Sequence, residues 1–150
     1  MTDDSLPGPT EPPIGRALWD AVTVIARRFE ETLAAAGGSR SMWWILLALV
    51  RDPGATQREI AGAVGIKDAT LTHHLAGMED SGLIVRRRCE RNRRAHTIEL
   101  TTEGHAAFRR LQQAALGFDR QLRGGVSAEE LRVLRDVLDR LVANATRPPE

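Results

Sequence analysis

The sequence contains little cysteine and few aromatic residues. Its single cysteine is Cys89, it has no tyrosine, and aromatic residues make up 4% of the chain. One cysteine excludes an intrachain disulfide bond, which is typical of proteins from reducing compartments. No segment reaches the roughly 18 apolar residues that a membrane span needs, and the N-terminus lacks the basic and then apolar pattern of a secretory signal. We therefore expect a cytoplasmic protein without a membrane partner.

The sequence also has little net charge, and its value of +1 predicts no polyanionic partner by itself. The positive charge is concentrated in one place instead. Residues 86–94 contain six arginines and one glutamate, whereas the charged residues among the first eleven are all acidic. Because like charges repel, stability alone does not explain such a density, and neutralisation of DNA phosphates explains it better. We predict that this segment contacts DNA.

Hydrophobic periodicity predicts six helices and one β-hairpin, in the order α-α-α-α-β-β-α-α. The predicted helices cover residues 14–36, 41–51, 56–65, 68–81 and 101–123, with a sixth after Ser127. The first predicted strand begins at Leu83 and continues into the basic segment, and the second covers residues 95–100, so that Arg91, Arg93 and Arg94 form an Arg-rich tip. The expected fold is mainly α with a small β-hairpin, a winged helix-turn-helix with flanking dimerisation helices. We divide the chain into a disordered tail (1–13), an N-terminal dimerisation helix (14–38), the winged helix-turn-helix (39–100) and C-terminal dimerisation helices (101–146).

Local signals define several of these helices. Two of them begin with a capping box, in which a hydroxyl and a carboxylate each satisfy a free backbone amide. Thr56 and Glu59 form the first pair, and Ser127 and Glu130 form the second. The second predicted helix, residues 41–51, is apolar on nearly every side, which is the pattern of a buried helix.

The fourth predicted helix has two distinct faces. Leu71, Leu75 and Met78 form one apolar stripe, which we expect to face the core. At about 100° per residue, His73 then points almost directly away from the core, with Thr70 beside it. Two short helices, a tight turn and a basic hairpin form a winged helix, in which an exposed helical face reaches base edges in the major groove. We therefore predict that this helix binds duplex DNA.

The segment TQREIAGAVGIKDATLTHHLAGMEDSGLIVRR, followed by the basic hairpin and IELTTEG, resembles the MarR family of bacterial regulators. The similarity extends over most of residues 14–143. It implies a homodimer joined by the first, fifth and sixth helices, bound to a palindromic site, usually as a repressor. It also implies a cleft for aromatic effectors beside the dimer helices. Two features depart from the family: residues 90–94 are one residue shorter, with Asn92 for the usual aspartate, and His73 replaces a common arginine.

The expected DNA contacts come from the capping box, the turn, the fourth helix and the hairpin: Thr56, Gln57, Lys67, Thr70, Thr72, His73, Arg88, Arg91, Asn92, Arg93 and Arg94. The expected effector residues are Arg16, Trp19, Arg40, Met42 and Trp44. We expect no metal site, no cofactor and no enzymatic activity, because zinc-ligand spacing and nucleophile–base pairs are lacking. Two alternatives stay open: a winged helix that docks another protein, and a redox-responsive regulator that uses Cys89.

Overall fold

The computed structural model describes residues 12–89 and 92–148, and for residues 88–89 and 92–96 it describes the backbone alone. These ranges contain six helices and one two-stranded antiparallel sheet: α1 (Ile14–Ala35), α2 (Arg40–Arg51), α3 (Gln57–Val64), α4 (Asp68–Asp80), β1 (Ile84–Cys89), β2 (Asn92–Leu100), α5 (Thr102–Leu122) and α6 (Ala128–Ala145). The predicted order and the mainly helical class with a small hairpin are confirmed. Most of the tail predicted at 1–13 lies outside the described residues.

The hydrophobic core lies in the first of two compact units, which extends to Ala115. Side chains from α1 to α5 and from both strands contribute to it, and Leu46, Leu71 and Ile98 are fully or almost fully buried. Trp43 stacks on Phe108, with ring centroids 5.6 Å apart and ring planes 7° apart. Most of the buried residues are aliphatic, in keeping with the low aromatic content of the chain.

Helix α2 is buried on most of its circumference but not on all of it. Trp43, Ile45 and Leu49 are buried, whereas Trp44 is 44% exposed. The expectation of a helix buried all round is therefore wrong at this side chain. Helix α2 contacts α1, α3, α4 and β2, and the Trp44 indole lies instead beside a hollow at the α2–α3 junction that is open to solvent.

The apolar helices α1 and α2 do not individually meet the criteria for a membrane span. Within residues 12–89 and 92–148, no single helix is long and apolar enough to cross a bilayer. Taken together, α1 and α2 have the length and apolar composition of a membrane span, but the two helices are bent by 76° relative to each other.

The capping box at the start of α3 is present as predicted. The Thr56 hydroxyl accepts a hydrogen bond from the Glu59 backbone amide, and the Glu59 carboxylate accepts one from the Thr56 backbone amide at 2.7 Å. Helix α3 ends at Val64, and its C-cap residue is Gly65, whose φ of +72° lies in the left-handed region that favours glycine. This residue allows the sharp turn that leads into α4 within three residues of the chain.

The Leu100–Gly104 segment connects the hairpin to α5 by a close backbone approach. The Thr101 hydroxyl donates to the Gly82 carbonyl at 2.6 Å and accepts from the Gly104 amide at 3.0 Å. A Cβ atom at Gly104 would lie 2.0 Å from the Leu83 carbonyl oxygen, so any larger residue would force the backbone apart. The threonine and the glycine of the family-like LTTEG element are thus required by packing at the base of the hairpin.

The hairpin is longer and less regular than predicted. Pairing runs in register from Ile84 opposite Leu100 to Arg88 opposite His96, and then shifts so that Cys89 lies opposite Asn92. Strand β2 therefore begins at Asn92 and not near Ala95, because pairing resumes beyond the irregularity. As a correction to the predicted Arg-rich tip, residues 93 and 94 belong to β2. Thr56 also forms an isolated bridge with Thr97, which joins the start of α3 to the sheet.

The second compact unit begins at Leu116 and contains the end of α5 and the whole of α6. The second predicted capping box is present, with the Ser127 amide donating to the Glu130 carboxylate at 2.8 Å. None of the described residues of this unit is buried, although α6 has an apolar stripe that includes Leu134 and Leu138.

Candidate nucleic-acid interface

Helix α4 presents one apolar face to the core and one polar face to solvent. Leu71, Leu75 and Met78 are buried, as the stripe predicted. Thr70 and His73 are exposed, and His74 is half-buried between the two faces. The outer face therefore carries small and hydrogen-bonding groups, which suits close approach to base edges.

A hydrogen bond between two predicted DNA-contact residues connects α3 to α4. The Gln57 side-chain amide donates to the Thr72 hydroxyl at 2.6 Å, and that hydroxyl donates to the Asp68 carbonyl at 2.8 Å. Because a hydroxyl has one proton to donate, Thr72 has none left for a base. No local pattern in the sequence indicated this pair, whose members are 15 residues apart. This hydrogen bond joins the two helices of the motif on their exposed side.

Two further predicted residues lie at the starts of these helices. The Thr56 hydroxyl is occupied by the capping box, where it also donates to the Glu59 carboxylate at 2.7 Å. These hydrogen bonds hold the pKa of Glu59 below the ordinary value of a glutamate. Lys67 is the N-cap residue of α4 and is exposed, with no side-chain capping bond. Its ammonium group is therefore available at the edge of the α4 polar face.

The first two arginines of the basic segment form ion pairs within the protein. Arg86 is partly buried and lies 3.2 Å from the Glu79 carboxylate of α4, without hydrogen-bond geometry. Arg87 donates to Glu99 across the hairpin at 2.8 Å. Because successive side chains of a strand point to opposite faces, one of two neighbouring arginines is expected to face the domain, but alternation does not identify its acidic partner. The Arg86 pair joins the hairpin to α4, the Arg87 pair lies within the hairpin, and both offset part of its positive charge.

For most of the remaining predicted DNA contacts in the hairpin, the structure describes the backbone alone. Strand β1 contains Arg88, and β2 contains Asn92, Arg93 and Arg94; the structure does not describe the side chains of these four residues. Arg91 lies outside the described residues altogether. The side chain of Cys89, the residue of the redox alternative, is not described either. Within the described part of the chain, no three His, Cys, Asp or Glu residues are grouped as a metal site.

The structure does not bring the five predicted effector residues to one place. Arg16 forms an ion pair with Asp20 at 2.8 Å on the exposed surface of α1, and Trp19 is 71% exposed. Arg40 is exposed, and its backbone amide donates to the Glu30 carboxylate at 3.0 Å. Met42 and Trp44, although close in sequence, line two different hollows.

The first of these, the α2–α3 hollow, has a volume of about 410 Å³. Its lining is mostly apolar, and Trp44 and Val64 form part of it, with Arg51 and Asp52 at the end of α2. The second, the α2–α4 hollow, has a volume of about 200 Å³. It is lined by Ser39, Met42, His73, His74, Gly77 and Met78. This hollow thus contains one residue predicted for effector binding and one predicted for DNA contact.

Comparison with known proteins agrees with this architecture. A sequence model of the MarR family matches residues 37–95. The uncharacterized HTH-type transcriptional regulator YdgJ of Bacillus subtilis (strain 168) is 32% identical over 121 residues, which cover 81% of this chain and 72% of YdgJ.

Two solved structures are similar over most of their length. The transcriptional repressor CouR, bound to a 23-mer DNA duplex, has a TM-score of 0.75 and 30% identity, covering 89% of this chain and 92% of CouR. The PcaV regulator from Streptomyces coelicolor, in complex with its natural ligand, has a TM-score of 0.70 and 23% identity, covering 94% of this chain and 98% of PcaV. At that identity, the likeness to PcaV shows the fold alone.

Proposed function

Because the chain belongs to the MarR family of DNA-binding transcriptional regulators, we propose that it is a homodimeric repressor that binds a palindromic operator and is released by a small ligand. The observation that supports this most directly is the exposed polar face of α4 beside an arginine-rich hairpin. This family consists of regulators and not enzymes, and the proposal places the protein in the cytoplasm, where bacterial DNA lies.

In this proposal, the α4 face recognises bases and the hairpin binds the DNA backbone. Thr70 and His73 point outward from α4, so they supply base contacts in the major groove. Arg88, Arg91, Asn92, Arg93 and Arg94 neutralise phosphates or enter the minor groove. Gln57 and Thr72 hold α3 and α4 together, with Thr56 and Lys67 at the helix starts beside the phosphates.

Dimerisation is supported by apolar surface on the helices that the family uses for it. On α1, Trp19 and Val22 are 71% and 60% exposed, and on α6, Leu134 and Val142 are 50% and 64% exposed. Large exposed apolar patches mark interaction sites, and two-fold symmetry would place two α4 helices roughly 34 Å apart, one turn of DNA. We therefore assign the exposed apolar faces of residues 14–38 and 101–146 to the dimer interface.

Release by a ligand is supported by the aromatic and basic groups near α2. CouR is known on DNA and PcaV with its natural ligand, so both kinds of partner occur among proteins of this fold. Trp44 lines the α2–α3 hollow, whose volume lies within the range of small-molecule sites. We retain Arg16, Trp19, Arg40, Met42 and Trp44 as the proposed effector residues, with Trp44 and Met42 in separate hollows of one chain.

The DNA part of the proposal is tested by measuring binding to fragments from the protein's own upstream region at several salt concentrations. We expect a steep loss of affinity as salt rises, because phosphate contacts release counterions. Replacing Arg91, Arg93 and Arg94 with alanine is expected to weaken binding to all sequences and to reduce the salt slope by about 1 for each phosphate-binding arginine removed. Thr70→Ala and His73→Ala are expected to change the preferred sequence.

The matched control is Arg135→Ala, which removes an exposed arginine from α6 and is expected to leave DNA affinity unchanged. Equal behaviour of the hairpin and α4 variants would contradict the division between phosphate and base contacts. Affinity that barely changes with salt would contradict the role of the hairpin and would favour the protein-docking alternative.

A further inference from the structure

The α2–α4 hollow has a lining that packing alone does not require. The chain contains three methionines and four histidines in all. Two of each, Met42, Met78, His73 and His74, line this one hollow of about 200 Å³. Methionine often fills irregular gaps in a core, but two imidazoles at the same gap bring nitrogen donors that a core does not need.

The geometry of α4 places two of these donors on one side of the helix. His74 and Met78 are four residues apart, so their side chains are neighbours on the helix surface. His74 is half-buried and Met78 is 4% exposed. Met42 reaches the same hollow from α2, near the start of that helix. The hollow is therefore lined by one thioether from α2 and by one thioether and one imidazole from α4.

The other residues of the lining are less suited to bind an ion than Met42, His74 and Met78. The Ser39 hydroxyl accepts a hydrogen bond from the Met42 amide as the cap of α2, and Gly77 has no side chain. His73 lies at the outer rim, where its ring centroid is 6.1 Å from that of His74. The lining contains no carboxylate and no thiolate, and two of its donors are thioether sulfur atoms. Soft thioether ligands select Cu(I), whereas zinc sites use thiolates, imidazoles and carboxylates.

We propose that the α2–α4 hollow binds a soft monovalent metal ion, Cu(I) or its analogue Ag(I), through Met42, His74 and Met78. The site differs in chemistry from the zinc sites whose absence was expected, because no anionic ligand takes part. Its rim includes His73, on the face of α4 that the proposed function assigns to bases. Because an ion held by His74 restrains the residue next to His73, we expect metal binding to hinder the fit of this face to DNA, and this consequence rests on the proposed function.

Metal binding is tested on the full-length protein without DNA, by transfer of Cu(I) from its bicinchoninate complex. The Cys89→Ser variant serves as the background, because the thiol of Cys89 would itself be a competing soft ligand. We expect one Cu(I) per chain in this background. Met42→Leu and His74→Gln are expected to weaken binding by at least about tenfold, while His105→Gln, an exposed histidine on α5, changes nothing.

Several results would overturn the proposal. These are absence of Cu(I) uptake by Cys89→Ser, uptake that survives both Met42→Leu and His74→Gln, or equally tight binding of Zn²⁺. Met42→Leu preserves volume and is expected to keep the fold, which thermal unfolding of the metal-free protein verifies. If it does not fold, His74→Gln and the methyl NMR signals of Met42 and Met78, which shift when Ag(I) binds, still test the site.

The link to DNA has its own readout. In the Cys89→Ser background, saturating Ag(I) is expected to weaken operator binding, and Met42→Leu is expected to abolish this effect. Unchanged DNA affinity with Ag(I) bound would overturn the link and leave metal binding itself standing. Failure of the proposed function would differ from both, since the metal-free protein would then not bind DNA at all.

Discussion

The residues up to Ala115 and those from Leu116 onward use the same kind of apolar pattern with different results. In the first region, Leu46, Leu71 and Leu75 are completely buried within the chain. In the second, no described residue is buried, although leucines recur at three- and four-residue steps along α6. A periodic apolar stripe determines which face of a helix avoids water. It does not determine whether the same chain or a partner covers that face.

Local structure, in contrast, is the same in both regions. Thr56 with Glu59 and Ser127 with Glu130 form capping boxes with nearly identical distances, 2.7 and 2.8 Å from the backbone amide to the carboxylate. The pKa of both glutamates is held below its ordinary value by these hydrogen bonds. The two regions therefore differ in what covers their apolar faces and not in how their helices begin.

The largest effect is expected from a buried leucine of the first region. Leu46 is 0% exposed, so Leu46→Ala removes apolar contacts and leaves a cavity in a close-packed core. We expect a loss of about 2–5 kcal/mol in the free energy of unfolding, independent of protein concentration. Urea unfolding followed by circular dichroism measures it. A loss below about 1 kcal/mol would mean that the core can collapse around the gap.

An intermediate effect is expected from an exposed leucine of the second region. Leu134→Asn is expected to weaken the proposed dimer by at least about tenfold, because burying a leucine contributes about 1.5–3 kcal/mol. Sedimentation velocity over a range of concentrations measures the dissociation constant. The control is Arg135→Asn, the next residue along α6, which should leave it unchanged. A dimer insensitive to Leu134→Asn would place the interface elsewhere and remove the contrast between the two regions.

The smallest effect is expected from the capping boxes, and it should be equal in the two regions. Thr56→Ala and Ser127→Ala are each expected to cost about 1 kcal/mol of stability at neutral pH. The cost should diminish in acid. Because the folded pKa of Glu59 and of Glu130 is lowered, their contribution is present above the unfolded pKa of about 4.3 and is lost as pH falls through the folded pKa.

Denaturant titrations of both variants at neutral and acidic pH test this equality. Glu59→Gln and Glu130→Gln serve as controls, since each should flatten the pH dependence below about pH 4. If Ser127→Ala leaves the main unfolding transition unchanged, the second region unfolds separately and the two regions differ in cooperativity as well as in burial.

The sequence predicted the order of elements because periodicity, caps and turn residues are local properties. The capping box at Thr56, the buried stripe of α4 and the outward position of His73 all follow from spacing along one helix. The family followed from motifs of the same local kind. The predicted DNA and effector contacts remain proposals, because the spacing of residues along a helix indicates which way a side chain points but not which molecule it contacts.

Contacts between distant residues were decided by the tertiary structure alone. The pairing of Arg86 with Glu79, the hydrogen bond from Gln57 to Thr72 and the exposure of Trp44 depend on how elements pack. The same holds for Met42, which packing places beside the histidines of α4. The sequence by itself determined the helices, the hairpin and their apolar faces, because these depend on neighbours in the chain. Tertiary structure decided which charges are paired and which hollows exist, because these depend on neighbours in space.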